Sequence, residues 1–438
     1  QSRIARTIAE QLQARISAGE QAAIARPPTT DLVANELYQR ALPLEYALPA
    51  HENLLEGIRL LDRAVARDPN FILAYCALTR MHLTLYGYGY DHTPERRELA
   101  NRALQKAERI EPNAGEVHLE RGGYWFIGFR DYDRGRAELE LARRTLPNNP
   151  KIYFLTGLMD HRQARWTEAT RNLERAVELD PRDMENLLST AYHYEGLHRY
   201  AEAARMFERA LAVSPHNYIA RLGRAWQSVH ERADTRPLRT ELNAILAEDP
   251  TAGPKIADTL FLCAVIERDR AATERAVAAI PAEGIPLAYE FVRPQAWYVG
   301  YAAQTFGELE AARIAFTSAR AKVEKTVREQ PDYAEAWSLL GRIDARLGRK
   351  EEAIREGRRA CELLPLSKDT WDGPWHIRTL AEIYAWVGEK DLALEQLSKL
   401  PQPHGQIVYG ELKLDPDWDP LRGDPRFERF VESFAPKL

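Results

Sequence analysis

The sequence predicts an all-α protein, a solenoid of antiparallel helix pairs with roughly ten pairs and a C-terminal cap. The first observation is a repeat. Residues 151–181 end in "LERAVELDP" and residues 184–215 end in "FERALAVSP", so Pro181 and Pro215 stand 34 residues apart. Ala169 and Ala203, Leu173 and Phe207, and Ala176 and Ala210 keep the same spacing. Tyr153 pairs with Leu187 and Gly157 with Ala191 in the first halves. The second observation is the residue type at each offset. Small residues sit where two helices cross closely, large ones fill between them, and proline stops the second helix. The third is composition. The 438 residues are 45% hydrophobic and 29% charged, enough for a core under a polar surface. A repeat array overrides the prior of about three domains for this length, because repeats stack into a continuous body.

Taken in order, residues 1–24 read as an amphipathic helix, with Ile4, Ile8, Leu12 and Ile16 at helical spacing. Arg26-Pro-Pro-Thr-Thr breaks it. Residues 31–68 form the first helix pair, closed by Pro69. The next pair carries Tyr75 and Leu78 on its packing face and is interrupted by "YGYGYDHTPE", so Pro69 to Pro112 spans 43 residues. That insertion reads equally as a partner-facing lip or as longer helix ends. Residues 116–149 give a third pair, with Gly122-Gly123, Leu139, Ala142 and Pro147. After the two central repeats the pattern weakens from residue 218, where Pro237 takes a usual small position. "PAEGIPLAYEFVRP" reads as a bend between sub-arrays. The pattern resumes at Gln295 with an extended second helix, and is cleanest over residues 332–365, with Trp337, Gly341, Gly348, Ala353, Ala360 and Pro365. "LSKDTWD" is inserted before a last copy over 374–400. The tail "LKLDPDWDPLRGDPRFERFVESFAPKL" makes turns and a short helix, with Trp418, Leu421, Phe427 and Phe430 as apolar capping residues. The expected domains are 1–30 (helix and linker from an upstream domain), 31–285 (first array, degenerate from 218), 286–405 (second array) and 406–438 (cap).

The 34-residue pattern resembles the tetratricopeptide repeat, W-x2-L-G-x2-Y…A-x3-F…P. The resemblance implies a right-handed superhelix whose first helices line a concave groove. "QSRIARTIAEQLQARIS" with "RPPTTDLVANELYQRAL" resembles the junction between a TolB-like domain and a repeat array, and "LDPDWDPLRGDPRF" resembles the end of arrays in bacterial signalling and regulatory proteins. The implied role is a non-catalytic scaffold that binds a peptide or protein segment. The alternatives are a small-ligand sensor and a self-assembly module that forms homo-oligomers.

Charge and motifs narrow the classes. The net charge of −5 opposes direct nucleic-acid binding, which needs a basic face. No apolar run reaches the ~18 residues of a membrane span. Gln1 in place of Met leads us to expect a fragment or processed form, with the compartment open between cytoplasm and periplasm. Cys76, Cys263 and Cys361 make no metal-ligand spacing and read as buried small hydrophobes rather than reactive thiols. No P-loop, HExxH, GxSxG or kinase motif set is present, and "LGRKEEA" lacks the spaced glycine and hydroxyl. His193 and His198 with Glu195 suggest a metal site only weakly, since no second ligand cluster accompanies them. "DPDWDP" lacks the EF-hand spacing and reads as a turn. We therefore expect no catalytic residues, cofactor or metal.

The resemblance puts repeat positions 5, 9 and 12 on the groove. Counting from Glu116, Pro150, Met184 and Tyr218, these are Glu120, Phe154, Leu188 and Leu222 (position 5), then Tyr124, Leu158, Tyr192 and Trp226 (position 9), with His161 and Glu195 at position 12. Aromatics make good partner anchors, though the same side chains could pack between adjacent first helices. The Lys, Asn and Arg of a carboxylate clamp are not in phase: only Lys151, Arg121 and Asn186 come near. A second, basic face is expected from Arg342, Arg346, Trp375 and Arg378, fit for an acidic peptide or simply solvated.

Overall fold

The computed structural model describes residues 28–45, 50–286, 292–401 and 407–436. The expected N-terminal helix over 1–24 lies outside them. Among the described residues ten helix pairs follow one another. They are α1 (Leu32–Ala41) with α2 (Ala50–Arg67), α3 (Ile72–Gly87) with α4 (Pro94–Ile110), α5 (Gly115–Phe129) with α6 (Tyr132–Thr145), α7 (Pro150–Arg162) with α8 (Trp166–Leu179), and α9 (Met184–Gly196) with α10 (Tyr200–Val213). Then come α11 (Tyr218–Arg232) with α12 (Arg236–Glu248), α13 (Ala257–Ile266) with α14 (Arg270–Ala279), α15 (Gln295–Thr305) with α16 (Leu309–Glu329), α17 (Ala334–Arg346) with α18 (Lys350–Leu363), and α19 (Asp372–Trp386) with α20 (Lys390–Ser398). The tail adds α21 (Tyr409–Leu414), a 3-10 turn (Pro416–Leu421) and α22 (Pro425–Glu432). The protein is an all-α solenoid.

Local chemistry explains where the helices begin and cross. Asp31, Asp131, Asp183 and Asn217 are N-caps whose side chains accept backbone N–H groups of the first turn. Pro237, unexpected at a small position, lies in the first turn of α12, where a missing N–H costs little. The turn inside most pairs needs one left-handed residue. Gly307, Gly348 and Gly388 supply it at φ 80°, 74° and 84°, whereas Arg130, Ala164, His198, Ala233 and Arg268 adopt it at φ 51–59°. Each of the latter stores roughly 1–2 kcal/mol of strain, which the flanking helix packing overcomes. Helices α17 and α18 cross at Gly341 and Gly357. A Cβ on Gly341 would lie 3.0 Å from the Ala353 carbonyl oxygen and 3.1 Å from the Gly357 nitrogen.

The chain forms two compact units, Gln1–Met159 and Asp160–Leu438. The core of the first includes Leu37, Leu54, Leu61, Phe71 and Met81, from α1 to α3. The "YGYGYDHTPE" insertion lengthens the flanking helices and adds a short turn between them. Helix α3 runs on to Gly87, and residues 88–93 fold back, with Tyr86 and His92 stacked at 3.9 Å and Tyr88 on Tyr90 at 6.3 Å.

The second unit departs from a simple stack. At the expected bend, β1 (Ile285–Pro286) pairs antiparallel with β2 (Val292–Arg293). The "LSKDTWD" insertion reaches back to the C-terminus of α7. Asp369, fully buried, accepts from Arg162 Nη1 at 2.7 Å and from the N–H groups of Trp371 and Asp372 at 2.9 and 3.0 Å. The Thr370 N–H donates to the Arg162 carbonyl (2.9 Å) and its hydroxyl to that of His161 (2.8 Å). Residues some 200 positions apart thus tie the unit into a closed turn. The tail packs Trp418, Leu421 and Phe427, all fully buried, with half-buried Phe430 against α19 and α20. These are the expected capping residues, but the tail is more than an outer cap: its acids also bond to α11, α15 and α17.

Candidate functional site

Two faces bear on binding, one in each unit. In the first unit the predicted groove residues are largely packed. Arg80 donates to Glu120 (2.5 Å) and to Glu45 (2.7 Å), bridging two buried carboxylates. Burial, together with Glu45, pushes the Glu120 carboxyl up despite that bridge. Tyr124 is only 8% exposed and packs with Cys76, Leu83 and Val117, on α3 and α5. Here the packing alternative holds. Phe154 is buried beneath Lys151, whose ammonium lies 4.7 Å from the ring centroid, and Leu158 is half-buried. Beside them lies an aromatic cluster that sequence reasoning missed, open to solvent at Phe129. Phe129 is 40% exposed, and Tyr124 and Trp125 meet it at 5.3 and 5.4 Å. The Arg97 guanidinium lies over Phe129 at 4.8 Å and that of Arg134 over Trp125 at 4.6 Å. The aromatic run "YWFIGF" is the signal that could have found it.

In the second unit, His161 is buried with its Nδ1 2.9 Å from that of His193, edge-on to Trp371 at 4.5 Å. The other His193 nitrogen faces the Thr170 hydroxyl at 2.7 Å. His198 lies in a turn and stacks on Tyr200 at 5.8 Å. Among the described residues no group of three or more His, Cys, Asp or Glu could hold a metal. Leu188 is half-buried in the α9–α10 core, and Tyr192, 36% exposed, leans edge-on to Phe207. Glu195 accepts from Gln227 Nε2 at 2.5 Å, and Trp226 stacks on His230 at 5.3 Å. His230 in turn sits between Glu195 (3.6 Å) and the tail residue Glu411 (3.7 Å).

The second basic face corrects one alternative. Arg342 and Arg378 are 6% and 5% exposed and the Arg346 side chain 1%, so none is solvated, and Trp375 is half-buried beside Arg378 at 5.4 Å. Their partners are acids of the chain's own tail. Arg342 Nη2 donates to Asp417 at 2.5 Å, Arg346 donates to the other Asp417 oxygen, and Arg378 donates to Glu411. Glu382, from the groove itself, bridges Arg342 and Arg378 at 3.1 Å each. The Tyr301 hydroxyl donates to Asp415 (2.8 Å) and the Trp386 indole N–H to the Asp417 carbonyl (3.0 Å). The tail acids recur at 411, 415 and 417, and the basic residues at 342, 346 and 378. Charge complementarity between those two strings was the available signal.

Burial sets the charge states. It works against the charge of Asp417, but Arg342, Arg346 and Arg378 outweigh it and hold that carboxyl below the usual range. Burial, with Asp417 beside it, pushes Asp415 up to about 7. Burial also opposes a charge on His230, yet Glu195 and Glu411 outweigh it and raise the imidazole above its usual value. Both raised groups bind more protons folded than unfolded, so their contribution is full at low pH and is lost as pH rises through the folded pKa. Asp417 has the opposite sign and loses its contribution in acid, below the ordinary Asp value. Thermal unfolding of the second unit is therefore expected at a higher temperature at pH 6 than at pH 8, and Asp415→Asn is expected to shrink the difference. Equal midpoints at both pH values would refute this assignment. The cysteines are free, and burial pushes Cys263 up to about 12 and Cys361 to about 11, with Cys76 also well above the ordinary thiol. That suits packing rather than nucleophilic chemistry.

The tetratricopeptide repeat family model matches residues 188–253 and 300–368. Those stretches are similar to tetratricopeptide repeats, and the described helices outside them continue the same helix-pair plan. Repeats of this kind generally serve as protein-interaction scaffolds. Similar solved structures include a thermophilic TPR protein of Thermus thermophilus, at 20% identity over 44% of this chain and 98% of that one, with a TM-score of 0.37. PilW, a widely conserved type IV pilus biogenesis factor, shows 16% identity over 50% and 96%, with a TM-score of 0.37. The human IFIT1 dimer with m7Gppp-AAAA shows 14% identity over 82% and 75%, with a TM-score of 0.47. At these scores they carry no argument about what this chain binds. No curated protein matches the sequence. Among the described residues no helix is long and apolar enough to cross a membrane.

Proposed function

We propose that this protein is a non-catalytic scaffold that holds a protein or peptide segment, with the accessible contact on the aromatic face of the first unit. The observation that carries this reading is the exposed Phe129 beside Tyr124 and Trp125, with Arg97 and Arg134 over the rings. Large rigid rings with cationic partners supply contact area at low entropic cost, and such side chains dominate interface energetics. The further reading, a repeat region of a bacterial signalling or transcription-regulatory protein, rests on the resemblance of residues 1–45 and of the tail to such chains.

The test is retention of proteins from cell extract by wild type and by Trp125→Ala/Phe129→Ser, after circular dichroism shows the variant equally helical. A protein held by wild type and lost by the variant is the expected result. Equal retention by both would remove this face from the proposal.

A further inference from the structure

We propose that the groove of the second unit is a docking site for acidic, tryptophan-bearing segments, and that residues 407–434 are its resident ligand, exchangeable for a partner segment of the same pattern. The inference rests on the scaffold reading and names the chemistry the second groove would accept.

The charge count identifies the occupant. Outside the tail, the carboxylate that pairs with Arg342 and Arg378 among the described residues is Glu382. Three buried guanidiniums with one counter-charge are a costly arrangement, so the groove requires acid from whatever fills it. The tail supplies Glu411 and Asp417 directly, and Asp415 accepts the Tyr301 hydroxyl. The spacing is specific, because these groups come from three first helices, α15, α17 and α19. The Trp386 indole N–H reads the main chain at Asp417, and Trp418 is fully buried next to it. A glycine is also demanded. A Cβ on Gly410 would come 1.8 Å from the Val229 carbonyl oxygen, so the occupant must be Gly-Glu-x3-Asp-Pro-Asp-Trp or close to it. Side chains from separate helices and one main-chain contact together hold the segment, as in peptide recognition by a groove.

The glycine provides the experiment. Gly410→Val in the full chain blocks docking of its own tail, and circular dichroism then checks that the helix pairs persist. The probe is a fluorescent synthetic peptide of residues 407–436 with Gly410 retained, followed by anisotropy. Wild type carries its competitor at millimolar effective concentration, so the variant is expected to bind the probe at least about 100-fold more tightly. A probe with Glu411→Gln, Asp415→Asn and Asp417→Asn is expected to lose that binding. A helical variant that takes up no probe overturns the proposal, as does equal uptake of the neutralised probe.

Should Gly410→Val fail to fold, a protease site replacing residues 402–405 serves instead. After cleavage, replacement of the resident fragment by labelled probe with helicity retained supports exchange. Loss of helicity on fragment release, refusal to exchange under excess probe, or dimerisation through swapped tails would each overturn it. None of these results depends on Phe129, so failure here leaves the scaffold reading to its own test.

Discussion

Asp417→Ala is expected to destabilise the second unit by about 3–5 kcal/mol, because it strips the shared counter-charge from two buried arginines. Asp417 is 3% exposed, and Arg342 and Arg346 are buried with it. Arg346 is also held between the Tyr301 and Trp386 rings, at 5.2 and 4.9 Å, so it has no route to water. The effect should extend beyond its size. In a stack of repeats each pair touches only its neighbours, and damage stays local. Here the tail links α11, α15, α17 and α19, which are far apart in the chain. Loss of Asp417 should therefore broaden a cooperative unfolding transition as well as lower it. Urea unfolding followed by circular dichroism reads both, and a single sharp transition at the wild-type midpoint would contradict the account.

Asp369→Ala should cost a similar amount, about 3–5 kcal/mol, by removing the buried carboxylate that joins the 366–372 insertion to Arg162. The carboxylate also accepts two backbone N–H groups, so its loss removes an acceptor from three donors. Asp372, 2.6 Å from the same Arg162 nitrogen, retains part of the ion pair. Asp369→Asn keeps one acceptor oxygen and is expected to cost less, about 1–3 kcal/mol. Hydrogen exchange localises the effect. Protection should fall at residues 161–164 and 366–373 together, although some 200 positions separate them. Loss confined to the insertion would show that the closure contributes little.

Much of this architecture was legible because its causes are local. The 34-residue spacing of Ala169, Leu173 and Ala176 with Ala203, Phe207 and Ala210 reports helix crossings within a repeat and to the next one. The caps at Asp183 and Asn217 and the turn glycines 307, 348 and 388 act over three or four residues. The candidate sites were less legible. Repeat phase set Tyr124 at a groove position, but whether a side chain there faces solvent depends on how tightly the neighbouring first helix packs, and α3 covers it. Phe129, five residues on, escapes that cover.

The sequence by itself determined the helix pairs, their number and the acidic–aromatic character of the tail, since periodicity and capping are written within a few dozen residues. Only the tertiary structure decided that the tail turns back into the second groove and that the 366–372 insertion reaches Arg162. Both depend on pairings across 33 to 210 residues. A buried guanidinium accepts any carboxylate that geometry brings to it, and no spacing in the chain states which one arrives.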